Sequence, residues 1–194
     1  MKRLFFLYVT ILAFSPVSNS QTIDASLKNG IKGLNTQVKE IKNNKRELRK
    51  ELRELNGAEV SSQAKFQFKK DFPNVSVIEW ERLDNFDEAT FTIDGQSTSA
   101  FYDDKPELVG TTTIKTISDL PEKAQKTLRE KYKDYKMGDI LFFDDNEQNE
   151  TDMILYNQQF EDKDSYFVEL LKGNKKILVQ VGMDGDVSYF TRLR

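Results

Sequence analysis

Three dipeptides constrain this chain most: Asp94-Gly95, Gly173-Asn174 and Asp184-Gly185, each set between runs of strand-forming residues. Such pairs reach positive φ and close tight hairpins, so the segments they join pair antiparallel. Ahead of the first hairpin, Ser61 to Phe72 reads as a helix: Ala64, Phe68 and Phe72 share a face, with Phe66 beside them, and Pro73 stops it. Strand-like runs follow at Val75–Leu83, Asp87–Ile93, Ser97–Asp103 and Leu108–Ile117. Then the pattern restarts. Ser118-Asp119-Leu120-Pro121-Glu122 opens a second helix through Ala124, Leu128 and Tyr132. Strands return at Met137–Phe143, Ser165–Leu171, Lys175–Met183 and Val187–Leu193. An acidic stretch, Asp144 to Asp164, interrupts them and is expected to hold one extra strand at Met153–Gln158.

The expected fold class is therefore α+β: two tandem repeats, 58–117 and 118–194, each a helix covering one face of a four-stranded antiparallel sheet. The other face, bearing Thr90, Thr92, Thr111 and Thr113, is expected to stand open to water or a partner. Phe68 and Phe91 belong to the core by this reading, and Trp80 and Tyr102 to a part-exposed surface.

The N-terminus reads as an address. Lys2 and Arg3 precede an apolar run, Leu4–Phe14, that Ser15-Pro16 breaks, and Ser18 and Ser20 offer small residues before a cut at Gln21. This is the layout of a secretory signal peptide over 1–20. As a helix the run reaches only about 16 Å, against a hydrocarbon core of roughly 30 Å, and nothing later is apolar enough to span a bilayer. The expected location is the periplasm or the exterior, after cleavage near Ser20, with no cysteine at the cut to carry a lipid.

Residues 21–57 read as a heptad helix. Ile31, Val38 and Leu52 fall at one seam position, with Lys45 in the vacant slot; Leu34, Ile41, Leu48 and Leu55 fall at the other, preceded by Leu27. The flanking positions lack a clean set of opposite charges, and Gly30 and Gly33 each cost about 1 kcal/mol of helix stability. Self-association through residues 27–55 as a coiled coil is one reading; an amphipathic helix folded onto its own domain is the other. Asn56-Gly57 provides the stop.

Composition removes most chemistry. The 194 residues include no cysteine and no histidine. Disulfides, thiolate zinc sites, cysteine nucleophiles and Ser-His-Asp triads are gone. The charge layout is uneven: 21–56 holds nine basic and five acidic residues, 57–194 holds 18 and 27. An acidic body argues against nucleic acid, whose binding rests on neutralising phosphates.

The succession Ala64–Phe68–Phe72-Pro73-Asn74, Val77-Ile78-Glu79-Trp80, Ala89-Thr90-Phe91, Ala100-Phe101-Tyr102-Asp103 and Leu120-Pro121-Glu122 resembles the PepSY-like family over roughly 60–194. Its members are secreted bacterial proteins related in fold to the β-lactamase inhibitory protein. The resemblance implies that fold in the periplasm and no catalytic residue. It does not imply β-lactamase inhibition. Asp104-Lys105-Pro106, where the family carries a glycine, and the acidic insertion depart from the pattern.

Three constellations have candidate chemistry. Asp144-Asp145-Asn146-Glu147, with Glu150 and Asp152, offers oxygen ligands for calcium, but Asn149 and Leu155 stand where an EF-hand needs Gly and Glu. A solvated acidic loop is the plainer reading, and no metal ligand is assigned. Ser62-Gln63-Ala64-Lys65 matches S-x-x-K without its companion motifs. Trp80, Thr90, Thr92, Tyr102, Thr111 and Thr113 form the candidate partner surface. The expected function is a non-catalytic exported protein that binds another envelope or secreted protein, as an inhibitor or sensory accessory, without a cofactor. The alternatives are a structural oligomer built on the N-terminal helix, then a calcium-dependent binding protein or a carboxylate-based enzyme.

Overall fold

The computed structural model describes residues 19–55 and 57–193; side-chain exposure is described from Asp24 onward. The expected leader lies outside the described residues except for Asn19 and Ser20, and so does Asn56 of the expected stop. The chain divides into two units between Glu47 and Leu48. Helix α1 (Asn19–Leu55) supplies the described part of the first unit. Along it every residue from Asp24 to Lys45 is exposed.

The second unit begins with the last turns of α1 and continues with α2 (Ser62–Asp71), β1 (Val77–Arg82), β2 (Asp87–Ile93), β3 (Gln96–Tyr102) and β4 (Leu108–Lys115). Next come α3 (Glu122–Lys131), β5 (Lys136–Asp145), β6 (Ile154–Leu155), β7 (Gln158–Gln159), β8 (Ser165–Lys172), β9 (Lys175–Gly182) and β10 (Val187–Leu193). Two sheets were expected; the eight long strands instead form one antiparallel sheet in the order β1-β2-β3-β4-β5-β8-β9-β10. The joint is β4 against β5, paired from Gly110↔Asp145 to Lys115↔Ile140. Both outer strands carry register irregularities, at Val77/Glu79 and Tyr189/Thr191, which hinder edge-to-edge pairing with other chains.

The hairpin dipeptides act as their chemistry dictates. Asp94 and Gly95 both sit at positive φ, 51° and 76°, and turn β2 into β3. Gly185, at φ 80°, leaves its Cβ position only 2.9 Å from Lys123 Cβ, so a side chain there meets the start of α3.

Ser61 caps α2, its Oγ accepting from Gln63 N at 3.2 Å and Ala64 N at 3.4 Å. Ala64 and Phe68 then face Ala89, Phe91, Ala100 and Tyr102 of the sheet. The Phe68 ring meets Phe91 edge-on at 5.1 Å and Trp80 at 5.6 Å. Phe66 points outward instead, with Lys70 Nζ 4.5 Å from its ring centre. On the same side of the sheet, Leu120, Ala124 and Leu128 pack on Ile140, Val168, Val179 and Val181.

A third cluster lies on the opposite side: Phe86, Phe101, Phe143, Phe167 and Leu178 of the sheet and its turns, under Met153 and Phe160 of the acidic insertion. One strand was expected at Met153–Gln158. The insertion instead makes a small hairpin, β6–β7, because Tyr156 and Asn157 adopt φ 51° and 61° and reverse the chain. Its surface is acidic, but it works as an apolar cover: Phe160 lies 4.9 Å from Phe167 and 5.2 Å from Phe143, ring centre to ring centre. Each such ring gains about 1.5–3 kcal/mol by burial. Gly110 makes room for this cluster, since a Cβ there would fall 2.6 Å from the Phe143 ring.

Candidate functional site

Residues directly opposite one another on adjacent strands share a face. Ala89 pairs with Ala100 and Ala100 with Thr111; Phe91 pairs with Thr98 and Thr98 with Thr113. Ala89, Phe91 and Ala100 pack under α2. Thr111 and Thr113 therefore project on the helix-bearing side and are half-buried there. Thr90, paired with Ser99, and Thr92, paired with Ser97, project on the other side. The expected single face with four threonines does not exist. The β3–β4 connection, with its register shift between Phe101 and Tyr102, sets a parity that the threonines alone do not reveal.

Tyr102 departs furthest from expectation. It is fully buried, and its hydroxyl donates to Asp71 Oδ2 at 3.1 Å. Burial, reinforced by the Asp71 charge and that hydrogen bond, pushes its pKa far above the ordinary phenol range. Trp80 is half-buried against Phe68, on the α2 side. Of the six candidate surface residues, only Thr90 and Thr92 share the face opposite α2.

That face, over β1 to β3, is polar. Thr92 and Ser97 are exposed; Thr90 and Ser99 are half-buried, their hydroxyls 3.2 Å apart. Glu79 and Glu81 on β1 are exposed, Glu79 opposite Thr90 and Glu81 opposite the half-buried Glu88. Two carboxylates directly across a strand pair repel one another, which disfavours the sheet in isolation.

The acidic insertion, with Asp145, Glu147, Asp162 and Asp164, and the β9–β10 turn, with Asp184, line an open cleft of about 520 Å³. Burial first, then a hydrogen bond and charge from Asp162 and the charges of Asp164 and Glu147, raise the Asp145 pKa to about 7. Asp144 is raised as well, by burial and by Asp164 and Glu147. Among the described residues no three carboxylates converge in a way that holds a metal ion. Ser62 and Lys65 of the S-x-x-K match are both exposed, while Ser61 does the capping.

A buried ion cluster escaped the sequence reading. Asp87 is fully buried and accepts from Arg53 Nη2 at 2.7 Å, Arg82 Nη1 at 3.0 Å and Ser61 N at 3.2 Å. Arg53 also donates through Nε to Leu83 O at 3.3 Å. Nearby, Arg49 Nε pairs with Asp104 at 2.9 Å and Lys50 with Asp84 at 2.8 Å. These bonds hold the last turns of α1, from Leu48 on, to the sheet unit. The signal was available: Asp87, Ala89 and Phe91 alternate onto one buried face, and a carboxylate there demands a cation. Next to the cluster, Asp103 accepts from Lys105 N and Glu107 N and from Thr151 Oγ1, tying the β3–β4 loop to the insertion.

This architecture is BLIP-like. The chain is similar to a BLIP-like protein from Bacteroides fragilis at 19% identity and a TM-score of 0.54, over 72% of this chain and 92% of that one. It is also similar to a DUF2874 family protein from Bacteroides uniformis at 14% identity and a TM-score of 0.56, over 69% and 90%. A Bacteroides eggerthii structure described as "putative periplasmic proteins" matches at 15% identity and 0.56, over 69% and 89%. At these identities the likeness is one of fold. No protein-family model and no curated protein matches the chain. None of the three descriptions denotes an enzyme, and no described helix is long and apolar enough to cross a membrane.

Proposed function

We propose that this is an exported, non-catalytic protein that binds another envelope or secreted protein through the outer face of β1–β3. The observation that carries this reading is the contrast on the side away from α2 and α3. There the insertion covers the aromatic cluster, while Thr92, Ser97, Glu79 and Glu81 stay exposed. The facing pair Glu81 and Glu88 favours a partner that brings Lys or Arg, which would relieve their repulsion. Export rests on the residue pattern of 1–20, with the mature chain read as 21–57 and a PepSY-like body at 58–194. The order of one helix then four long strands, taken twice, supports a duplicated origin for that body. The test is saturable capture from an envelope extract by the wild-type protein and by Thr92→Arg/Ser97→Arg. Both residues are exposed, so folding should survive. Loss of capture with unchanged melting supports the reading; equal capture by both proteins refutes it.

A second reading is self-association through α1. Its support is the exposed apolar series Leu27, Ile31, Leu34, Val38 and Ile41 in the first unit, and Leu48, Leu52 and Leu55 in the second.

A further inference from the structure

Resting on that second reading, we propose that the apolar seam of α1 takes a second copy of this chain in a parallel, in-register, two-stranded coiled coil. A helix draws most of its stability from packing an apolar face. From Asp24 to Lys45 no residue of α1 is buried, and the seam residues are between 51% and 66% exposed. Gly30 and Gly33 weaken this stretch further. A helix with this sequence needs something to cover it.

The stripe is narrow. Written as a heptad, the a positions are Ile31, Val38, Lys45 and Leu52, and the d positions are Leu27, Leu34, Ile41, Leu48 and Leu55. The flanking e positions are Lys28, Asn35, Lys42 and Arg49, and the g positions are Gly30, Gln37, Asn44 and Glu51. An a/d-only stripe with polar flanks is a coiled-coil seam, whereas helices that lie on membranes or cores expose a wider apolar face. In the second unit, the sheet-bearing body grips the helix through Arg49, Lys50 and Arg53, at e, f and b. Leu48 and Leu55 stay 65% and 84% exposed. The grip therefore leaves the seam positions open.

Number and direction follow from the residue types. β-branched Ile31 and Val38 at a, with Leu at four of the five d positions, favour two parallel strands. A lone Lys45 at a is the kind of polar seam residue that selects register and a low oligomer number. Charge selects direction. In an antiparallel pair the e column faces its own copy, setting Lys28, Lys42 and Arg49 against one another. In a parallel pair each e residue faces a g residue of the second copy, and that column has no positive charge. Parallel pairing meets no like-charge contact across these flanks; its one like-charge contact is at the seam, where Lys45 faces Lys45 of the second copy and a lysine's long stem lets the ammonium reach out to water.

The test uses the full chain, purified as its producing cell processes it. Because the sequence has no cysteine, Ile31→Cys and Leu52→Cys each present a single thiol. Parallel in-register helices bring both positions to their own copies within disulfide reach, so both variants cross-link on mild oxidation. An antiparallel pair lets at most one position along the helix meet itself. Sedimentation equilibrium of the wild type at micromolar concentration should give a dimer mass. Leu34→Asp/Ile41→Asp should weaken association by about 100-fold or more, since the seam would bury carboxylates. The fluorescence of Trp80, the sole tryptophan, reports that the body is intact in every variant. A wild-type monomer throughout the micromolar range, or a monomer that binds anionic vesicles, overturns both this proposal and the self-association reading. A trimer or tetramer mass, or cross-linking at only one of the two positions, overturns the parallel dimer and leaves self-association standing.

Discussion

Replacing Asp87 with alanine is the most informative single perturbation of the body. The carboxylate is fully buried, between the side chains of Arg53 and Arg82, which are 5% and 10% exposed. The three groups carry a net charge of +1. Removing the aspartate leaves two buried guanidinium groups facing each other, whereas Arg53→Met leaves a balanced Arg82–Asp87 pair. Burial already lowers the Arg53 pKa, Arg82 lowers it further, and Asp87 opposes both. Breaking a buried pair by deleting one partner costs about 3–5 kcal/mol. The Arg53 substitution forfeits charge-assisted hydrogen bonds of about 1.5–3 kcal/mol without stranding a charge. With a urea m-value of about 2 kcal/mol/M, a 4 kcal/mol loss lowers the unfolding midpoint by about 2 M. Urea melts followed by Trp80 fluorescence read this directly, because Trp80 packs on Phe68 in the α2 core. A midpoint shift below about 0.5 M for Asp87→Ala, or a larger loss for Arg53→Met than for Asp87→Ala, refutes the reasoning.

Two further outcomes follow from the insertion. The raised pKa of Asp145 means that the folded protein holds a proton the unfolded chain has released between about pH 4 and 7. Stability therefore falls as pH rises through that window, and Asp145→Asn flattens the dependence and raises the melting temperature at pH 8; scanning calorimetry from pH 4 to 8 checks the sign. Phe160→Ala removes the ring that touches Phe143, Phe167 and Phe190 and should cost about 3–5 kcal/mol, with new binding of a hydrophobic dye to the uncovered sheet.

Local chemistry made much of the fold legible. Asp94-Gly95, the Pro73 stop and the alternation of Asp87–Ile93 each produced the expected element, since they act within a few residues. The face assignment of Thr111 and Thr113 depended on how many residues the β3–β4 connection adds, and a one-residue change reverses every side chain beyond it. Tyr102 was misjudged for a related reason. Its ring shares the Ala100 face, and its hydroxyl reaches Asp71 through tertiary contact that spacing does not encode. The insertion misled through composition: Glu147, Glu150 and Glu161 are exposed and Asp145, Asp162 and Asp164 half-buried, while Met153 and Phe160 are buried and carry its structural role. Of the candidate site, Thr90 and Thr92 were legible as a pair by simple alternation. Glu79 and Glu81 were not, because they became neighbours of that face only through the β1–β2 register.

The ladder between β4 and β5 has a mechanical consequence. Two backbone-bonded halves cannot open and close around a ligand like a jaw without tearing that row of hydrogen bonds. A partner of the kind proposed for the β1–β3 face would meet a surface whose contour is set before contact, so that matching shape and charge would decide recognition and little of the binding energy would be lost to rearrangement.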